Sequence, residues 1–191
     1  KVNVNIVKNI LKFMPSSSKI IHISSDYIFN GLDAPYKEND HPNPLNYYGQ
    51  TKLEAENLIR GSRKKYIIIR TGNLFSQFLN LKSNRLSWII NSLSNNKSIY
   101  AAEDMISKPT NTCTIPNLIL SLLPIGDNLI INYTGQNSLS IYDFANMVAK
   151  TFNFNANLIN KCKVNDLNFK AKRPLNVSLS TDLVTDIINC N

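Results

Sequence analysis

Tyr48 and Lys52 are the residues whose types and spacing first suggest chemistry. Four positions apart on a helix, they share one face. A free tyrosine, with a pKa near ~10, is a poor acid–base group at neutral pH. A neighbouring ammonium favours phenolate and draws that pKa towards a useful range. The pair suits delivery of a proton to a carbonyl oxygen while a hydride arrives at carbon. Tyr47 stands five before Lys52, a poorer spacing, so Tyr48 is the better candidate. Alone, Tyr-x-x-x-Lys is a weak signal whose ordinary meaning is a solvated helix face. Ser24-Ser25-Asp26 adds weight, because it closes an apolar run. Open α/β sheets assemble their sites at the carboxyl ends of such strands. The Ser25 hydroxyl can then hydrogen-bond the same carbonyl as Tyr48.

The elements that must position these residues follow from apolar spacing. Val4, Ile6, Val7, Ile10, Leu11 and Met14 recur at helical intervals, and Pro15 to Ser18 ends that helix. Lys19 to Ser25 is short, β-branched and apolar, so it reads as a buried strand. Tyr48 to Ile59 reads as a helix stopped by Gly61, and Tyr66 to Thr71 as a second buried strand. Helix–strand–helix–strand at this spacing is a parallel α/β arrangement with the two strands adjacent. Beyond Phe75 the spacing predicts helices over 83–93, 115–123 and 139–152, strands over 98–102 and 128–133, and a final helix near Asp182. Ser138 or Ser140 would cap the 139–152 helix, with Phe144, Met147 and Val148 on its core face.

Composition narrows the class. With 191 residues, 43% hydrophobic and 18% charged, the chain is an ordinary globular one. No apolar run approaches the ~18–20 residues of a membrane span, and Lys1 to Phe13 lacks the form of a signal peptide. The net charge of +8 is scattered, without a nucleic-acid-binding motif, so no nucleic-acid partner is expected. An anionic small molecule would still favour such a field. Cys113, Cys162 and Cys190 are far apart and read as free thiols of a reducing cytoplasm. Two histidines, His22 and His41, make no metal site by themselves, and His22 reads as a strand residue.

A denser pattern surrounds the Tyr–Lys pair. His22-Ile23-Ser24-Ser25-Asp26-Tyr27-Ile28-Phe29-Asn30-Gly31 resembles the H-x-S-T-D-Y-V-F-D-G segment of the dTDP-4-dehydrorhamnose reductases, which are extended short-chain dehydrogenases. Pro35-Tyr36, Glu38, Pro42-Asn43-Pro44-Leu45-Asn46 and Tyr48-Gly49-Gln50-Thr51-Lys52 resemble the stretch that follows. Asp104 with Pro109-Thr110, Thr134-Gly135 before Ser140-Ile141-Tyr142-Asp143-Phe144-Ala145, and Ala171-Lys172-Arg173-Pro174 resemble later motifs, so the likeness runs along nearly the whole chain. Two departures stand out: Ile6 and Val7 replace a usual Gly-Thr, and Asn73 stands where Trp is common.

The resemblance implies the second half of a Rossmann-type parallel sheet over residues 1–75. A smaller mixed α/β substrate-binding region would follow over 76–191, with 98–133 returning to the sheet. It implies NAD(P)H-dependent reduction of a 4-keto nucleotide sugar, with NADPH or NADH as cofactor. Tyr48 is then the proton donor, Lys52 lowers its pKa and holds the nicotinamide ribose, and Ser25 orients the keto group. Ser24, Thr71 and Gly72 would join Tyr48 and Lys52 at the cofactor. Asp26, Tyr27, Asn73, Pro109, Thr110 and Arg173 would contact substrate. No membrane partner is implied, and a homodimer is compatible. Asn73 leans towards the NAD-dependent epimerases and dehydratases. A third reading is a non-catalytic subunit resembling the β subunit of methionine adenosyltransferase. The six glycines are dispersed and none builds a glycine-rich pyrophosphate turn. The resemblance therefore implies that the first half of the dinucleotide-binding fold precedes Lys1, and that these residues alone hold cofactor weakly.

Overall fold

The computed structural model describes residues 2–76 and 84–189. Ser83 and Cys190 therefore lie outside the described residues. The chain opens with α1 (Val2–Phe13), β1 (Lys19–Ile23), α2 (Tyr47–Arg60), β2 (Lys65–Arg70), β3 (Leu74–Phe75) and α3 (Arg85–Ser94). It continues through β4 (Ile99–Ala102), β5 (Ile106–Ser107), β6 (Thr110–Asn111), α4 (Ile115–Leu122) and β7 (Leu129–Asn132). It closes with β8 (Leu139–Ser140), α5 (Ile141–Phe152), β9 (Ile159–Cys162) and α6 (Asp182–Asn189).

Strands β1, β2 and β7 form a parallel sheet in that order. The alternation of strand side chains decides what each face buries. In β2, Ile68 points with Ile20 of β1 towards Val7 of α1 and Ala55 and Ile59 of α2. Its neighbours Ile67 and Ile69 point the other way, onto Leu118 and Leu122 of α4 and Val184 of α6. A sheet buried on both faces accounts for the unbroken isoleucine run of β2.

Residues 98–133 divide between two places. Leu129–Asn132 lies against β2, but Ile99–Ala102 pairs in parallel with β9 and so does not join the three-stranded sheet. The reason is packing. Ile99, Ala101 and Ala102 bury themselves among Ile89 and Leu93 of α3 and Phe144 and Val148 of α5, which form a second core.

Helix α5 begins two residues later than its periodicity indicates. Leu139 and Ser140 pair antiparallel with β5 instead. Ser140 and Asp143 then form a reciprocal capping box, which halts the strand and starts the helix. Met147 is 46% exposed, so it leaves the core face to Ile141, Phe144, Ala145 and Val148. Among the described residues no helix is long and apolar enough to cross a membrane.

Candidate active site

The site sits at the carboxyl ends of β1 and β2. The parallel ladder runs on past Ile23: the Ser24 N–H donates to the Ile69 carbonyl at 2.8 Å and the Asp26 N–H to that of Thr71 at 2.9 Å. Residues Asp26–Ile28 then form a single 3-10 turn capped by the Ser25 side chain, which accepts from the Tyr27 N–H at 3.2 Å. The Ser25 hydroxyl donates to Asp26 Oδ1 at 3.1 Å.

Helix α2 is brought onto this turn by Gly49. Asn46 caps the helix by accepting from the Gly49 N–H at 3.0 Å. A Cβ at Gly49 would stand 2.1 Å from the Tyr27 carbonyl oxygen, so any side chain there would push α2 away. The close approach sets Tyr48 beside the turn. Its ring meets Tyr27 edge-to-face at 6.0 Å, and the Ser25 hydroxyl acts on its phenol. Tyr48, Lys52 and Glu56 follow at four-residue steps along one face of α2. Lys52 Nζ donates to the Ile23 carbonyl at 2.9 Å. Glu56 receives the Arg70 guanidinium, with Nη2 2.8 Å from Oε2 and Nε 3.2 Å from Oε1. The helix face is thereby pinned to both strands.

Charge in the site is set mainly by burial. Asp26 is only 4% exposed. Burial pushes its carboxyl up to about 7, opposed by the hydrogen bond from Ser25 and by the Arg85 charge. Burial also holds the Tyr48 phenol above its ordinary value, against the pull of the Ser25 hydrogen bond. The Lys52 ammonium is held by the Ile23 carbonyl, and burial lowers its own pKa. Tyr48 therefore rests protonated, the form a proton donor needs.

A cavity of about 1170 Å³ opens on these groups. Ser24, Ser25, Asp26, Tyr27 and Tyr48 form one wall, and Thr71, Gly72 and Asn73 continue it. Arg173 faces them, with its Nη1 donating to the Tyr27 hydroxyl at 3.3 Å. Gly72 has a steric reason, since a Cβ there would lie 1.7 Å from Asp26 Oδ2. Asn73 adopts φ 46, in the left-handed region that Asn tolerates and a large side chain resists, and it donates to Ser107 Oγ at 3.0 Å. Pro109 and Thr110 do not line this cavity. They border a second pocket of about 380 Å³ beside Tyr133 and Gly135. Thr110 reaches the site indirectly, by donating from Oγ1 to the Gly72 carbonyl at 3.0 Å. Close packing turns it inward: a Cβ at Gly135 would lie 2.1 Å from the Pro109 carbonyl oxygen.

Arg85 is a site residue that pattern reading missed. It opens α3, lines the cavity, and acts electrostatically on both Tyr27 and Asp26. A signal was available. A cation in the first turn of a helix opposes the macrodipole, so Arg85 there needs another reason. Trp88 stands three residues on and borders the same cavity.

His22 and Asp26 should give the protein opposite pH dependences. Burial lowers His22 from 6.5 to about 4 and raises Asp26 from 3.8 to about 7. His22 contributes stability present above 6.5 and lost as pH falls towards 4. Asp26 contributes stability present below 3.8 and lost as pH rises through about 7. Between these limits the two slopes oppose one another. Urea melts of Asp26→Asn at several pH values should therefore show stability rising with pH more steeply than in wild type. A flat Asp26→Asn profile would contradict the buried state of His22.

The parallel sheet, the helices on its two faces and the Ser–Tyr–Lys set at its carboxyl edge define a Rossmann-like α/β fold of the extended short-chain dehydrogenase/reductase class. A family model described as RmlD substrate binding domain matches residues 1–190, and the chain belongs to that family. It is 31% identical over 175 residues to a dTDP-4-dehydrorhamnose reductase of Aggregatibacter actinomycetemcomitans, covering 85% of this chain and 58% of the relative. It is 29% identical over 140 residues to methionine adenosyltransferase 2 subunit beta of Bos taurus, covering 70% of this chain and 42% of the relative. Its fold matches the crystal structure of a Bacillus anthracis dTDP-4-dehydrorhamnose reductase in complex with NADP. The TM-score is 0.88 at 24% identity, over 96% of this chain and 64% of the other. The chain thus spans about three fifths of the length of the curated reductase it resembles.

Proposed function

We propose that this chain carries the substrate side and the nicotinamide-facing edge of an NAD(P)H-dependent reductase acting on a 4-keto nucleotide sugar. The observation that carries this reading is the placement of Ser25 and Tyr48 together on the wall of a large cavity bordered by two arginines. The likeness to dTDP-4-dehydrorhamnose reductase supports the substrate class.

A nicotinamide cofactor fits the residues at the cavity's inner end. Ser24 Oγ is buried there, and among the described residues it has no hydrogen-bond partner. Ser24, Thr71, Gly72, Tyr48 and Lys52 would hold the group. When bound, it supplies a hydride to the keto carbon. Ser25 and Tyr48 take the keto oxygen between them, and Tyr48 passes its phenolic proton to that oxygen. Lys52 sits one turn along the same helix face, so its charge steadies the tyrosinate left behind. Tyr27, Asn73 and Arg173 orient the sugar and its anionic group. In this reading Pro109 and Thr110 act from behind, through the Gly72 carbonyl. A homodimer is compatible with this function and is not required by it.

The test is the stoichiometry of the nicotinamide. One NADPH or NADH consumed per keto sugar supports the reductase. Turnover without net oxidation would point to an epimerase or dehydratase instead. The match to the methionine adenosyltransferase subunit supports a second, regulatory reading. Copurification with a synthetase, together with no keto-sugar reduction, would favour it.

A further inference from the structure

Ser25 has one hydroxyl proton, and in the ligand-free site it is already committed. It points to Asp26 Oδ1 at 3.1 Å. The Ser25 oxygen meanwhile accepts from the Tyr27 N–H at 3.2 Å. A hydroxyl has one donor and two lone pairs, so the proton is taken and one lone pair stays open. A keto oxygen arriving beside Tyr48 finds no proton on Ser25 unless Asp26 releases it. Asp26 has no room to move away: it is 4% exposed, and its carboxylate lies against the Gly72 backbone.

The charged and titratable groups around Asp26 come from four elements. Tyr27 belongs to its own turn, Tyr48 to α2, Arg85 to α3, and Arg173 lies beyond Arg85 in the stretch before α6. Arg85 lines the same cavity as Asp26 and its charge acts on the carboxyl, and among the described residues it forms no salt bridge that would divert that charge.

We propose that Asp26 sets the direction of the Ser25 hydroxyl and that Arg85 is the positioning residue that governs Asp26, so that Ser25 serves the substrate oxygen only when Asp26 carries a proton. The role assigned to Ser25 rests on the reductase reading above. Protonated Asp26 donates its O–H to Ser25 Oγ, and the Ser25 proton turns to the keto oxygen. Ionised Asp26 takes the Ser25 proton back. No covalent bond to carbon changes in this step. The balance of burial against the Ser25 hydrogen bond and the Arg85 charge sets the Asp26 midpoint close to neutrality, where both forms are populated.

Carboxyl-carbon NMR of the whole protein with labelled aspartate tests the coupling without cofactor or substrate. The Asp26 signal is assigned by its loss in Asp26→Asn. Wild type should titrate with a midpoint near 7. Arg85→Gln should raise that midpoint by about one unit or more. Ser25→Ala should raise it as well, because a donor to the carboxylate is lost. A wild-type midpoint in the ordinary carboxylate range, or one that Arg85→Gln leaves unmoved, overturns the proposal. In turnover, wild-type kcat should fall as pH rises through the Asp26 midpoint, and the Arg85→Gln limb should shift with its NMR midpoint. Asp26→Asn, whose amide donates to Ser25 at every pH, should lose that limb; its persistence overturns the proposal. If the NMR midpoints behave as stated and no reduction occurs at any pH, the reductase reading fails while the Asp26–Arg85 coupling stands.

Discussion

Tyr48→Phe is expected to lower kcat of keto-sugar reduction by roughly a hundred- to ten-thousand-fold, the usual span for loss of a general acid. The substitution removes one oxygen and little else. The ring keeps its edge-to-face contact with Tyr27, and Gly49 still seats α2 on the 26–28 turn. Substrate affinity should therefore stay within a few-fold of wild type, because the cavity walls and Arg173 are untouched. Steady-state kinetics beside calorimetric binding separates the two effects. Loss confined to kcat supports proton donation by Tyr48. Unchanged turnover would remove Tyr48 from the chemistry.

The second large effect is on stability. Arg70→Met should destabilise the protein by about 3–5 kcal/mol, the range for breaking a buried ion pair from one side. Arg70 is 1% exposed and Glu56 is fully buried. Methionine would leave the Glu56 carboxylate without its two guanidinium contacts. It would also free the Glu38 carbonyl, which accepts from Arg70 Nη1 at 2.8 Å, and would end the packing of the guanidinium 5.5 Å from the Phe29 ring centre. Thermal melting should fall by roughly 10 °C or more. Replacing both Arg70 and Glu56 by apolar residues of similar size should recover much of the loss, since no buried charge remains. A single variant as stable as wild type would mean that water reaches Glu56.

This pair ties the site to the fold. Glu56 lies eight residues after Tyr48 on the same face of α2, and Arg70 ends β2. The Glu38 side chain accepts from the Asn132 N–H at 2.9 Å, and Asn132 Nδ2 donates to the Tyr36 carbonyl at 3.0 Å. The long stretch between β1 and α2 is therefore laced across the carboxyl edge of the sheet. Its composition indicates a polar loop; its role as a brace appears only when β7 comes alongside β2.

The core helices and strands were legible because each buries one face, and burial imposes a period of 3.6 or 2 on the apolar residues. Ile67, Ile68 and Ile69 read as a strand covered on both sides, and Val4, Val7 and Leu11 as one helix face. Ser25, Tyr48 and Lys52 were legible as a set because their order and spacing carry a recognisable chemistry. Partners distant in sequence were not legible. The seating of β4 against β9 depends on packing among α3 and α5, which come from elsewhere in the chain. Pro109 and Thr110 carry a motif, yet they lie against Gly135 and the Gly72 carbonyl, contacts distant in sequence.

The sequence by itself determined that this is a parallel α/β chain with a tyrosine and a lysine on one helix face near the end of a buried strand. Only the tertiary structure decided what surrounds Tyr48. It holds the Lys52 ammonium on the Ile23 carbonyl, buries Asp26 against Gly72, and brings in Arg85 from a helix far along the chain. Local spacing records which face a residue takes. Proton affinity depends instead on how much water folding removes and which distant charges it brings close, and neither is written in local spacing.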